Sequence, residues 1–235
     1  MTQKKEVLII GAGPGGLTAG MLLQHHGYQV KILEKAERVG GRNARIELGD
    51  FKFDTGPTFL MMKFILDEMF AAVGRRTEDY LQTVKLDPMY KLYFPEFNLD
   101  IRTDLREMKE DIARLFPGEE KGIDKFIEKE TKRYERLLPC LQIPYSEPKS
   151  MISKHLLGAL PILSVGRSLY GVLGDYFTSE KLRLSFTFQS KYLGMSPWDC
   201  PGAFTIIPYV EHREGIYHVM GGLSKISDAM AGVIK

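Results

Sequence analysis

Apolar positions along the chain follow two rhythms. Val7 to Ile10 is a short unbroken run that meets a glycine, and Val30 to Leu33 is a second run of the same kind. Runs this short beside glycine predict buried parallel strands. Between them Leu17, Met21 and Leu22 share one face of a helix over Leu17 to His26, which Gly27 stops. Strand, glycine turn, helix and strand within about 30 residues make a βαβ unit. Ala44 to Leu48 and Phe51 to Phe53 alternate on either side of Gly49-Asp50, the pattern of a hairpin. Met61 to Val73 is predicted to be a helix.

Beyond residue 80 the pattern becomes mixed. Leu86 to Phe94 and Leu99 to Arg102 alternate like strands, with a turn over Pro95 to Asn98. Asp104 is placed to cap a helix over Leu105 to Phe116, and Pro117-Gly118 ends it. A longer helix is predicted over Ile123 to Leu138. Its apolar stripe is Ile123, Phe126, Ile127, Tyr134, Leu137 and Leu138; its other face is rich in Glu, Lys and Arg. A further helix is expected around Glu180 to Tyr192, then a strand over Gly215 to Val219. Gly221-Gly222 opens a last helix, Leu223 to Ile234.

Composition narrows the class. The chain has 235 residues, 44% hydrophobic and 26% charged, which is globular and not low-complexity. A net charge of +2 gives no reason to expect nucleic acid. Cys140 and Cys200 stand alone, with no CxxC and no ligand spacing, so neither a disulfide scaffold nor a metal site is expected. MTQKKEVLII is too short for a signal peptide, and no apolar run approaches the ~20 residues that span a bilayer. These features place the chain in the cytoplasm, with peripheral contact to a membrane left open.

The chemistry begins at GAGPGG, where Gly11, Gly13 and Gly16 occupy G-x-G-x-x-G. The motif follows a strand, opens a helix, and is answered by Glu34 at the end of the next strand. That context is a dinucleotide-binding fingerprint. Gly11 permits a tight turn, Gly13 lets a pyrophosphate approach the backbone, and Gly16 lets helix and strand pack closely. The helix N-terminus offers unpaired N–H groups. Glu34 suits ribose hydroxyls and disfavours a 2′-phosphate, so NADP is not expected. RVGGRN (Arg38 to Asn43) then decides between the remaining cofactors. Glycines placed just after Glu34 bring further amides to the same pyrophosphate, and Arg42 adds a bidentate charge. NAD needs only the helix end; a second cradle suits the longer FAD.

GAGPGGLTAG, EKAERVGGRNA and FDTGPT together resemble the N-terminal pattern of the phytoene desaturase family, FAD-dependent carotenoid desaturases among the amine-oxidase-like flavoproteins. The stretch FTFQSKYLGMSPWDCPGAFTIIPYVEHREGIYHVMGG (Phe186 to Gly222) resembles that family's central block. The resemblance implies an α/β fold: a Rossmann-like, glutathione-reductase-type FAD domain with an inserted, mainly helical α+β substrate domain, C-terminally incomplete. Its segments would be residues 1–80 for FAD, 81–204 for substrate, and 205–235 returning towards the FAD domain. Cofactor contacts are expected at Gly11, Gly13, Pro14, Gly15, Gly16, Glu34, Lys35, Gly41, Arg42, Gly56, Pro57 and Thr58. No metal is expected, and no catalytic residue can be carried over from the family. The implied reaction puts double bonds into an acyclic polyene precursor, phytoene or its C30 counterpart, with hydride passing to the flavin. Two alternatives stand beside it: another amine-oxidase-like flavoprotein oxidase, or a non-catalytic lipid-binding module of the same fold.

Several other residues invite a role. Glu211 and His212 form an acid–base pair on paper, but a polar turn between strands is the favoured reading. Glu128 and Glu130 read as solvated helix face, and Trp198, Met61 and Met62 as packing. Residues 151–174 are apolar and glycine-rich, with Pro161 inside. They read as buried helices of the substrate segment, or alternatively as a monotopic membrane surface with Lys154, His155 and Arg167 at the headgroups.

Overall fold

The structure is a computed structural model and describes residues 5–234. In chain order it opens with β1 (Glu6–Ile10), α1 (Pro14–His25), β2 (Gln29–Leu33), β3 (Arg45–Leu48), β4 (Phe51–Asp54), β5 (Leu60–Met61), α2 (Lys63–Ala71) and β6 (Thr83–Lys85). There follow β7 (Tyr90–Tyr93), β8 (Asn98–Ile101), α3 (Leu105–Leu115), α4 (Glu120–Leu141), α5 (Lys154–Ala159), α6 (Leu169–Leu173), α7 (Glu180–Ser185) and α8 (Ile206–Glu214). The chain closes through β9 (Ile216–Val219) and α9 (Ser224–Ile234). It divides into two units: residues up to Leu86 with those from Glu214 onward, and Asp87–Arg213.

In the first unit β1 and β2 are parallel, with Val7 opposite Val30 and Ile10 opposite Leu33. α1 crosses between them, and two of its glycines explain how closely it lies. A Cβ on Gly16 would collide with the Gly11 carbonyl oxygen, and one on Gly20 would stand 2.8 Å from Ile32 Cδ1. The hairpin β3–β4 turns at Gly49, whose φ of 61° favours glycine. β9 lies between β5 and β6 and is antiparallel to both. That pairing moves two expected boundaries. Leu60 and Met61 are strand, so the helix predicted from Met61 starts at Lys63, after Met62 in the left-handed region (φ 51°). Residues 83–85 are held in the first unit by β9, so the strand predicted over Leu86 to Phe94 shrinks to β7. The core joins Leu17 and Met21 of α1, Leu66 and Phe70 of α2, Val219 of β9, and Leu223, Ile226 and Met230 at the last helix.

The second unit holds the antiparallel pair β7–β8 and the remaining helices. Asp104 caps α3 as expected, its Oδ1 accepting from the amides of Arg106 (2.8 Å) and Glu107 (3.2 Å). Phe126, Phe177 and Phe186 are almost wholly buried and mutually packed, with Phe177 and Phe186 stacked at 4.8 Å. Burying each ring contributes about 2 kcal/mol, so this cluster anchors the unit. α7 stops at Ser185; a 3-10 turn over Phe188–Leu193 follows and closes at Gly194, so one helix to Tyr192 does not form.

Three further expectations are corrected here. Glu130 is fully buried, not on a solvated face. Its carboxylate lies 2.9 Å from Arg133 Nε and accepts from the Tyr176 hydroxyl at 2.8 Å, while Arg133 also donates to Ser164 Oγ. Glu128, by contrast, is exposed and pairs with Lys132. Trp198 is 56% exposed and leans on Tyr170 instead of filling a core. Residues 151–174 split: Leu169, Val172 and Leu173 are buried, whereas Ile152 and Val165 are 74% and 82% exposed. Arg167 is held by both carboxylate oxygens of Asp175, at 2.9 and 2.8 Å, and is not free to meet a headgroup.

Candidate functional site

The glycine loops predicted from sequence converge in the first unit. β1 delivers Gly11, whose φ of 101° turns the chain from strand to helix, and whose amide bonds to the Leu33 carbonyl at 2.7 Å. Gly13 is the N-cap of α1 and offers no side chain; Pro14 and Gly15 follow, exposed, and no acid stands in the first turn. The N-terminal amides of a 12-residue helix are therefore presented without a competing cap.

The second loop is tied directly to the first. The Gly40 amide donates to the Ala12 carbonyl at 2.8 Å. Gly40 and Gly41 have φ of 124° and 55°, and a Cβ on Gly41 would come within 3.2 Å of Gly13 Cα. The two loops thus meet backbone to backbone, an approach and a backbone conformation that favour glycine. Arg42 lies at the exposed rim. The third stretch joins them: a Cβ on Gly56 would lie 2.5 Å from the Arg42 carbonyl oxygen, and the Thr55 hydroxyl donates to the Ala44 carbonyl at 2.8 Å. Pro57 and Thr58 continue from it, exposed.

Glu34 follows β2 beside this junction. Its carboxylate accepts from the amides of Ala36 (2.9 Å) and Ala12 (2.7 Å). Those two bonds hold its carboxyl below the usual carboxylate range, so it stays ionised at neutral pH. Its neighbour Lys35 is exposed. The expected residues of the first two loops and Glu34 are therefore brought together, and Gly56 adjoins them through Arg42.

Sequence reasoning missed one participant. Asp54, at the end of β4, accepts from the Leu223 amide at 3.1 Å and lies against Gly222, whose φ is 94°. It joins the hairpin end to the start of α9. The paired glycines at 221–222 signalled the turn, but nothing local showed which carboxylate would meet it.

Glu211 and His212 are not in a turn. Both lie on α8, both are buried, and they face different partners. Among the described residues no cluster of His, Cys, Asp or Glu is arranged to hold a metal ion, and no helix is long and apolar enough to cross a membrane.

Comparison with known proteins agrees with this geometry. Residues 9–71 match the family described as an NAD(P)-binding Rossmann-like domain. A 4,4'-diapophytoene desaturase (4,4'-diapolycopene-forming) of Methylomonas sp is 50% identical over 100% of this chain and 46% of its own length. A zeta-carotene-forming phytoene desaturase of Myxococcus xanthus is 33% identical over 97% of the chain and 45% of its own length. The chain thus spans less than half the length of these relatives. Among solved structures, a Pyrococcus furiosus protein superposes with a TM-score of 0.62 at 17% identity, covering 97% of this chain and 48% of that one. Putrescine oxidase does so at 0.56 and 17%, covering 99% and 49%. At these identities the structures show the fold alone. The chain is homologous over its full length to carotenoid desaturases, as its motifs implied, and carries a Rossmann-type site for a nucleotide or flavin cofactor.

Proposed function

We propose that this chain, a relative of the carotenoid desaturases, forms the nucleotide-binding portion and a substrate-binding portion of an FAD-dependent desaturase of acyclic carotenoid precursors. The observation that carries the reading is the close approach of Gly13 and Gly41, which brings the two glycine loops together backbone to backbone. The residues fit FAD. The α1 amides and the Gly40-Gly41 backbone would hold the pyrophosphate, Arg42 would neutralise it, and ionised Glu34 would accept from ribose hydroxyls. Bound FAD would supply the two-electron acceptor for making a double bond. The protein's part is to fix the cofactor's position and keep a 2′-phosphate away through Glu34. The 50% identity to a diapophytoene desaturase favours a C30 substrate over a C40 one.

Titration of the chain with FAD, followed by quenching of flavin fluorescence, tests the cofactor. FAD should bind and NADP should not compete; binding of NADP in preference would overturn the reading. The substrate is tested by expressing the gene in cells that accumulate either the C30 or the C40 precursor. New conjugated double bonds in the C30 strain are the expected result. Their absence in both strains, with flavin bound, would point to another flavoprotein oxidase.

We further propose a peripheral contact with the cytoplasmic membrane through residues 152–165. Ile152, Leu157, Leu160 and Val165 are exposed there, and residues 148–166 contain Lys149, Lys154 and His155 but no acid. Beside them Glu135, Arg136, Lys154 and His155 help line a groove of about 470 Å³ between α4 and α5. Basic and apolar groups on one exposed segment suit an anionic lipid surface. Flotation with phosphatidylglycerol vesicles should carry wild type upward and leave Ile152→Glu/Val165→Glu at the bottom. Equal flotation of both would reject this surface.

A further inference from the structure

Glu211 remains outside the function proposed above. It is 1% exposed on α8, and its partners come from two other elements. Oε2 meets Gln189 Nε2 and the Tyr90 hydroxyl, the latter at 3.5 Å. Oε1 accepts from the Tyr192 hydroxyl at 3.2 Å. All three donors are neutral. The charged and titratable groups nearby are otherwise engaged. His212, next on α8, bonds through Nδ1 to the Arg102 carbonyl at 2.9 Å and packs on Phe186. Lys191, from the 188–193 turn, sits 3.3 Å above the Phe188 ring.

Around the carboxyl the walls are aromatic. Tyr90 stacks on Phe188 at 4.9 Å, and Phe188 meets Tyr192 edge-on at 5.9 Å. A buried carboxylate met by three neutral donors lacks the charge partner that would make ionisation cheap. We propose that Glu211 is a proton-carrying site of the second unit, protonated in the folded chain on the acid side of neutrality, with Tyr192 as its outlet to water.

Gln189 supports the assignment. Its Oε1 is buried and has no hydrogen-bond partner among the described residues, while its Nε2 serves both Tyr90 (2.7 Å) and Glu211. The two ends of an amide are distinguished only by their partners. Turning the amide over sets Oε1 between the Tyr90 hydroxyl and Glu211 Oε2, and a protonated Glu211 donates to it. Burial acts in the same sense: it pushes the Glu211 carboxyl up to about 7, and it raises both Tyr90 and Tyr192, which keeps the phenols protonated as donors. Tyr192 is 38% exposed, so one end of the cluster reaches water. On ionisation the carboxyl O–H bond breaks and its electron pair stays on the carboxylate. The proton passes by way of the Tyr192 oxygen to water, and the Gln189 amide turns its Nε2 towards the new charge.

Infrared spectroscopy of the chain in deuterated buffer tests this between about pH 5 and about pH 9, the range that brackets a carboxyl raised towards neutrality. The C=O band of a neutral carboxylic acid should be present on the acid side, titrate away with a midpoint near neutrality, and be missing from Glu211→Gln. Tyr192→Phe removes one donor to the ionised form and should move the midpoint to higher pH while the fold is kept. This second variant decides the matter if Glu211→Gln does not fold. Absence of the band at about pH 6, its persistence in Glu211→Gln, or an unmoved midpoint in Tyr192→Phe would each overturn the assignment. A persisting band would instead identify Glu130, the other buried acid whose carboxyl is raised by burial.

Discussion

Adjacent residues on α8 pull stability in opposite directions with pH. His212 is buried neutral, and desolvation lowers its pKa from 6.5 to about 4. The unfolded chain therefore takes up a proton that the folded chain refuses, and stability falls as pH drops from about 6.5 to about 4. Glu211 has its carboxyl raised from 4.5 to about 7, so the folded chain keeps a proton that the unfolded chain has lost. Its stabilising share is fully present below about 4.5 and is lost as pH rises towards about 7. Between about 4.5 and 6.5 the two slopes, each close to 1.4 kcal/mol per pH unit, nearly cancel. Replacing His212 by Gln should uncover the Glu211 slope. Urea midpoints of that variant should rise steadily on acidification from about pH 7 to about pH 5, while wild type stays flat. Parallel curves would contradict the offset.

The same scale shows what the sequence could and could not reveal. Asp104 was readable as a cap because its effect is local. Glu130 and Arg133 were not readable as core. They sit at the spacing of the stripe made by Ile123, Phe126 and Tyr134, yet charged residues at such positions are normally expected at the surface. Only their mutual pairing, with Tyr176 supplied from 46 residues away, makes burial affordable.

Among elements, the glycine loops were the most legible part of the molecule. Each glycine answers a backbone requirement that repeats wherever this turn is built. Gly16 and Gly41 predict separable outcomes. Gly16→Ala drives a methyl group into the Gly11 carbonyl and should cost stability, about 1–3 kcal/mol by overpacking. Gly41→Ala has to adopt φ near 55° and crowd Gly13, so it should cost about 1–2 kcal/mol and weaken FAD binding as well. Thermal melts and flavin titrations on the pair check this. A Gly41 variant with wild-type flavin affinity would dissociate the second loop from the cofactor. Less legible was the first unit's three-stranded sheet. Leu60–Met61 is too short to show a period, and its partner Ile216–Val219 lies more than 150 positions along the chain.

Across the whole molecule, several strand faces lie open. Leu8 and Ile10 of β1, Leu33 of β2, and Ile46, Leu48, Phe51 and Phe53 of the hairpin are all exposed, Ile10 by 85%. Exposed apolar surface of this kind favours association. The chain should therefore show a concentration-dependent mass in light scattering and bind a hydrophobic dye. A monodisperse monomer over a hundredfold dilution range would contradict this.

The position of β9 also sets an order in time. The first unit contains β1, which starts at Glu6, yet its middle strand is Ile216–Val219 and its core is closed by α9. The second unit is one unbroken run, Asp87–Arg213. During synthesis the later run has all its residues in hand while the earlier one still waits for its central strand and closing helix. The unit that carries the glycine loops starts before the second unit yet cannot close its sheet until β9 has been made, and its βαβ segment must stay unaggregated for as long as translation of the intervening residues takes.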